Sequence, residues 1–308
     1  MGTLSQRERR FWMSGFDLTV NESLVAGLLV DQFPEWCHLP LKRIKSAGTG
    51  NAIYRLGDQK AVRLPLVSWA ADFIKKEVLW LPKLAPHLPL ATPVPIAMGN
   101  PGRGYPSHWS VVNWLAGENA FLHGLSDTDQ AATRLGEFVS TLQRLDTADG
   151  PLSGEQNVNR GVPLVVRDAM TREAITTLRG VFDIDELAAA WESALKIPEW
   201  SGPPAWLHGD LHSGNLLATD GQLTAVIDFG LMGVGDPACD VMVAWWLFSG
   251  RSRETFRSTI DVDDHTWDRG RGWALTVGVV AHAHYLKTNA MLAELSFKAI
   301  EESLADRP

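Results

Sequence analysis

The chain has 308 residues, 45% of them hydrophobic and 21% charged, with a net charge of −8. These figures suit one large or two smaller globular domains; the acidic balance argues against a nucleic-acid binder, whose docking face is basic, and no apolar run is long enough to span a membrane. Cys37 and Cys239 lie far apart and form no C-x-x-C, and the first residues lack a signal-peptide core, so a reducing, cytoplasmic setting is expected.

Asn21 is placed to cap a helix with apolar positions at Leu24, Leu28, Leu29 and Phe33, and Pro34 stops it. Residues 46–65, SAGTGNAIYRLGDQKAVRLP, read as strand, glycine turn, strand, Gly57-Asp58 hairpin turn and strand. Ser46, Gly48 and Gly50 form a turn whose backbone N–H groups can approach a phosphate without Cβ interference. Arg63, on the second hairpin strand, is suited to grip a phosphate, while Lys60, three positions earlier, falls on the opposite face. The apolar spacing of Phe73, Ile74, Val78 and Leu81 predicts a helix over 69–81, ended by Pro82. Glu77 on that helix is the candidate partner for Arg63, with Asp72 as the alternative.

Six prolines between Pro86 and Pro106 make the next part loop-rich, with a strand near 94–98. WSVVNWL, residues 109–115, is a buried-strand candidate. As a hinge it would offer backbone groups of Val112, Asn113 and Trp114 to a nucleobase edge. Composition turns helix-rich here, which supports a boundary near residue 115; the expected division is an N-terminal nucleotide-binding lobe, 1–115, and a C-terminal catalytic and substrate-binding lobe, 116–308. Helices are expected from a cap at Ser126 or Asp127 to about Leu145, near 163–179 and 185–195, and again over 267–287 and 290–304. The run 241–248 is apolar on nearly all sides and should be buried.

The most informative stretch is Trp206–Asp240, WLHGDLHSGNLLATDGQLTAVIDFGLMGVGDPACD. Asn215 follows Asp210 by five residues, and Asp228 follows thirteen later in D-F-G. This is the kinase spacing of catalytic base, metal-binding Asn and metal-binding Asp. His208-x-Asp210-x-His212 also reads as three alternate metal ligands on a strand, but no further His or Glu cluster supports it. Only LMGVG separates Gly230 from Asp236, with no A-P-E to close an activation segment, so the acceptor need not be a polypeptide. Asp236 and Asp240 are candidates to face the acceptor; the competing reading makes them helix-start residues.

HGDLHSGNLL, VIDFG and GDPACD together resemble the aminoglycoside phosphotransferase family, and SAGTGNAIYRLG, AVRLP and WSVVNWLAGE extend the likeness over most of the chain. The resemblance implies an α+β, two-lobed, protein-kinase-like fold with a strand-rich N-lobe and a mostly helical C-lobe. It implies ATP or GTP between the lobes, Mg²⁺, Asp210 as catalytic base, and Asn215 and Asp228 as metal ligands. Ser213 departs from a frequent Pro, and Arg63 from a frequent Lys. The expected activity is phosphate transfer to a hydroxyl of a small molecule, an aminoglycoside or related antibiotic. Macrolide, choline, homoserine and sugar kinases are the alternatives within the likeness, and a non-catalytic nucleotide-binding module is the alternative outside it. No nucleic-acid or membrane partner is expected, and the oligomeric state is not legible.

Overall fold

The structure is a computed structural model and describes residues 19–44, 50–67 and 70–306. Strands β1 (Leu41–Ile44), β2 (Asn51–Leu56), β3 (Lys60–Pro65), β4 (Pro95–Gly99) and β5 (Trp109–Asn113) form one antiparallel sheet in the order β1-β2-β3-β5-β4. On β2 the side chains alternate, with Ala52, Tyr54 and Leu56 inward, as a half-buried strand requires. The inward side chains pack with Val25, Leu28 and Leu29 of helix α1 (Glu22–Gln32). Asn21 caps α1 by accepting the Leu24 N–H at 2.9 Å, and the helix ends before Pro34, as expected.

Helix α2 (Ala70–Leu84) runs through Pro82, where the sequence predicts a stop. Pro82 sits in the last turn, so its ring removes only the bond to the Val78 carbonyl. Trp80, Leu81 and Leu84, all buried, hold the turn helical from outside. These three belong to the core of the second lobe.

That lobe is built on α3 (Thr128–Gln143), α4 (Asp168–Thr177), α5 (Ile184–Leu195), α6 (Gly250–Ile260), α7 (Asp264–Tyr285) and α8 (Ala290–Ala305). Asp127 provides the α3 cap, accepting the Gln130 N–H at 2.9 Å. Helix α6 has no counterpart in the sequence reading: only Phe256 and Ile260 are buried apolar residues on it, so its periodicity is faint. The apolar run 241–248 is buried as expected, in two short helical segments, Ala238–Val241 and Val243–Trp246. Two small sheets complete the lobe. One orders β6 (Glu118–Asn119), β8 (Leu216–Thr219) and β9 (Gln222–Val226); the other pairs β7 (Ala205–Leu207) with β10 (Gly233–Gly235). Trp109, Trp191, Trp206, Trp245 and Trp273 are fully buried, so much of the unusual tryptophan content serves packing. Among the described residues, no helix is long and apolar enough to cross a membrane.

The first sheet is packed to the limit where β4 meets β5: a Cβ added at Gly99 would lie 2.0 Å from Trp109 Cε2. Gly99→Ala should therefore displace the indole and cost about 1–3 kcal/mol, read as a lower urea midpoint with unchanged slope.

Candidate active site

Strand β7, buried along its whole length, ends at Leu207 and delivers the loop that begins at His208. The loop is fastened from below. Asp240, fully buried, accepts the His208 N–H at 2.7 Å and the Gly209 N–H at 2.8 Å. Gly209 has φ +81°, and a Cβ there would stand 2.5 Å from the Leu231 carbonyl oxygen, so only glycine fits. His208 Nδ1 accepts the Asp210 N–H at 3.2 Å, which leaves Nε2 to donate to the Ile227 carbonyl at 3.0 Å. The imidazole is thus a neutral strut between the Asp210 loop and the strand leading to Asp228.

These contacts aim Asp210 upward. Its Oδ1 accepts from Arg160 Nη2 at 3.3 Å, and its Oδ2 from Asn215 Nδ2 at 3.1 Å. Asn215 Nδ2 also donates to the Asp210 carbonyl at 2.9 Å. The amide is thereby oriented, with its Oδ1 free of hydrogen-bond partners among the described residues. Asp228 closes the group from the other side. It has φ +65°, a left-handed conformation that aspartate tolerates better than most residues, and its Oδ1 lies 3.5 Å from Arg63 Nη2.

Arg63 and Glu77 form a buried ion pair at 2.7 Å, on β3 and α2 as expected. Lys60 stands instead over the Trp36 ring, 5.5 Å from its centre, on the other face of the sheet. Helix α2 is set against the lower lobe by Phe73, whose ring would meet any Cβ at Gly230 at 2.7 Å. Lys76 reaches across to Gln156 Oε1 at 3.0 Å.

The electrostatics follow from burial and partners. Burial opposes charge on Asp210, but His212 and Arg160 outweigh it and hold the carboxyl well below its usual range. Burial pushes His208 down to about 4, so it stays neutral near neutral pH. Burial pushes Asp240 up to about 6, against the pull of its two backbone N–H bonds. Burial likewise lowers Lys76 to about 8.

The structure thus joins Asp210 to Asn215, and Arg63 to both Glu77 and Asp228, with the His208 ring tying the Asp210 loop to Ile227 beside Asp228. Gly50 lies at the foot of β2, its carbonyl accepting the Leu66 N–H at 2.8 Å; Ser46 and Gly48 lie outside the described residues. Four expectations need correction. Asp236 does not face an acceptor: it is buried, paired with Arg269 at 2.8 and 3.2 Å, and it accepts the Ala238 N–H at 3.0 Å. Asp240 is spent on the loop as described, which places it beneath the site and not in it. At the hinge, Val112 is buried, and the Asn113 and Trp114 N–H groups are already given to the Val94 and Gln59 carbonyls at 3.1 and 2.9 Å. Those two residues therefore have no N–H to offer a base. The three-ligand reading of His208, Asp210 and His212 also fails, because His208 is engaged at both nitrogens. Among the described residues, no group of three or more His, Cys, Asp or Glu could hold a metal ion. The sequence reading missed Arg160, which sits in a polar connection with no periodicity to mark it. It also missed Lys76, masked as one more helix-surface lysine.

A family model described as a phosphotransferase enzyme family matches residues 41–273, and the chain belongs to that family. A search of curated proteins finds no match. Among solved structures, the GDP complex of wild-type aminoglycoside 2'-phosphotransferase-IIIa is similar at 19% identity over 93% of this chain and 99% of that one, with a TM-score of 0.73. The GDP and kanamycin complex of APH(2")-IIia gives 18% identity, 93% and 100% coverage, and a TM-score of 0.73. A macrolide 2'-phosphotransferase from Brachybacterium faecium, as apoenzyme, gives 21% identity, 93% and 98% coverage, and a TM-score of 0.59. At these identities the likeness speaks for the fold, which is the two-lobed, protein-kinase-like one.

Two outcomes are expected. Asp240→Asn puts an NH₂ group against backbone donors and leaves one of them buried without an acceptor; the loss in unfolding free energy should be about 1–3 kcal/mol. His208 imposes a pH dependence on stability. Between pH 6.5 and 4 the unfolded chain protonates this imidazole while the folded chain does not, so its contribution is present above pH 6.5 and is lost as pH falls towards 4. The wild-type advantage over His208→Gln in urea should be level above pH 6.5 and shrink below it by on the order of 1 kcal/mol per pH unit. Asp240 titrates in both proteins and cancels in the difference.

Proposed function

We propose that the chain transfers the γ-phosphate of ATP or GTP to a hydroxyl of a small molecule, an aminoglycoside or related antibiotic. What supports this reading is that Asn215 holds the Asp210 carboxylate, Arg63 of the Arg63–Glu77 pair reaches Asp228, and His208 bonds both the Asp210 N–H and the Ile227 carbonyl next to Asp228. In the reaction, the acceptor O–H bond breaks as the new O–P bond forms, Asp210 takes the proton, and the electrons of the breaking P–O bond leave with the nucleoside diphosphate. Asp210 suits that task because it is ionised and one face remains open: its side chain is 26% exposed. Arg63, oriented by Glu77, supplies a fixed cation where the phosphates lie.

The reading includes Mg²⁺. The free Oδ1 of Asn215 and the second oxygen of Asp228, whose side chain is 46% exposed, are the hard donors such an ion takes. Bound there, it would neutralise charge on the transferring phosphate. One carboxylate and one amide suffice when phosphates complete the shell, so the absence of a larger acidic cluster among the described residues fits. The lobes divide, in this reading, near residues 115 and 116, where β5 leads into β6.

The acceptor itself is open to test. With Asp236 and Asp240 buried in their own contacts, neither is available to draw in a polycation, so macrolides belong in the acceptor panel beside aminoglycosides.

Asp210→Ala should lower turnover on any accepted substrate by about 10²–10⁴-fold, measured with labelled nucleotide across that panel on protein shown to be folded by circular dichroism. Full activity in this variant ends the reading. Asp228→Ala should abolish the Mg²⁺ dependence of nucleotide binding in calorimetry.

A further inference from the structure

Arg160 is buried and reaches Asp210 with Nη2, yet its Nε and Nη1 are buried with no hydrogen-bond partner. By hydrogen bonding alone a guanidinium so poorly satisfied adds little to a fold, though its charge also favours the ionised form of Asp240. The chain nevertheless holds it firmly. Asn157, fully buried, donates to the Arg160 carbonyl at 3.0 Å and accepts the Gly154 N–H at 3.0 Å. The Asp236 N–H binds the Gly161 carbonyl at 2.8 Å, and Asp236 is itself clamped by Arg269. Val158, Asn159 and Gly161 all have positive φ, at 58°, 54° and 76°. Left-handed residues persist in such number only where the surroundings over-determine them, and they gather at functional sites. A rigid, strained loop thus carries one buried cation to one oxygen of Asp210.

We propose that Arg160 is a positioning residue for the phosphate transfer, acting through Asp210. This rests on the phosphotransfer reading above. Arg160 fixes Oδ1 and Asn215 fixes Oδ2, so the carboxylate plane cannot rotate. The side chain stays 26% exposed, which leaves it within reach of an acceptor hydroxyl. Without Arg160 the carboxylate turns about Cβ–Cγ and meets the hydroxyl in line only part of the time. The Asp236–Arg269 pair gains a purpose here too: it anchors the peptide next to Arg160.

The test is a double-mutant cycle between Arg160→Ala and Asp210→Asn, read as the single-turnover rate of Mg²⁺-dependent nucleotide consumption, with nucleotide Kd and thermal unfolding measured alongside. Arg160→Ala should slow the wild-type background about 100-fold and leave nucleotide Kd within about twofold. Arg160→Lys, which keeps the charge with a shorter, less directional head, should recover about tenfold of that loss. In the Asp210→Asn background either change should cost no more than about threefold, because the group it acts through is gone. Equal losses in both backgrounds, or a weakened Kd that accounts for the loss, overturn the proposal in favour of a structural role. Should Arg160→Ala fail to fold, the same cycle with Arg160→Lys decides. An Asp210→Asn protein as fast as wild type instead overturns the phosphotransfer reading, and this proposal falls with it.

Discussion

One buried carboxylate governs the site. Asp240 takes two consecutive backbone N–H groups, those of His208 and Gly209, into its two oxygens. A loop that leaves a strand at a left-handed glycine has unpaired donors just where it turns, and inside a lobe no water is at hand to satisfy them. Asp240 answers that need at some cost to itself, since burial raises its own pKa. Once the His208–Gly209 peptide is held, the His208 ring has one orientation, the Asp210 N–H has an acceptor, and Asn215 can close over the Asp210 carbonyl. The geometry of the cleft is downstream of that fork of hydrogen bonds.

The upper wall is held by a second ionic device. Arg63 and Glu77 neutralise each other in a dry setting, and Arg63 leans on to Asp228. Phe73 against Gly230 and Lys76 on Gln156 then register α2 to the lower lobe. The cationic side of the cleft and the carboxylate side are therefore joined through α2 by packing and by a polar bridge, and not only through the hinge.

Much of this was legible because it is local. The Asp210, Asn215 and Asp228 spacing survives into three dimensions since a short loop and one hairpin, β8–β9, separate them. The alternation on β2 and the caps at Asn21 and Asp127 likewise need only a few neighbours. What sequence could not show is set by distant chain. Pro82 remains helical because Trp80, Leu81 and Leu84 are gripped by residues far along the sequence. Asp236 and Asp240 look like acceptor-facing acids until Arg269 and the His208 loop arrive to engage them. At the hinge, Asn113 and Trp114 lose their N–H groups to neighbouring chain at Val94 and Gln59, a pairing fixed by sheet order. Arg160 lies fifty residues from its partner on a loop without periodicity, and nothing short of tertiary structure joins them.

The placement of α2 has a consequence for how the chain is assembled. By sequence this helix lies among the N-terminal strands, yet Trp80, Leu81, Leu84 and the following Leu90 pack into the core shared with Trp206, Phe229 and Trp245. Trp80 stacks obliquely on Trp206, 4.9 Å between ring centres. A fragment severed after β5 would carry that greasy ridge into water, and the remainder would be left with an indole facing a void. The halves are thus mutually templating, and synthesis of the first half alone yields a sticky intermediate until the second emerges to cover it.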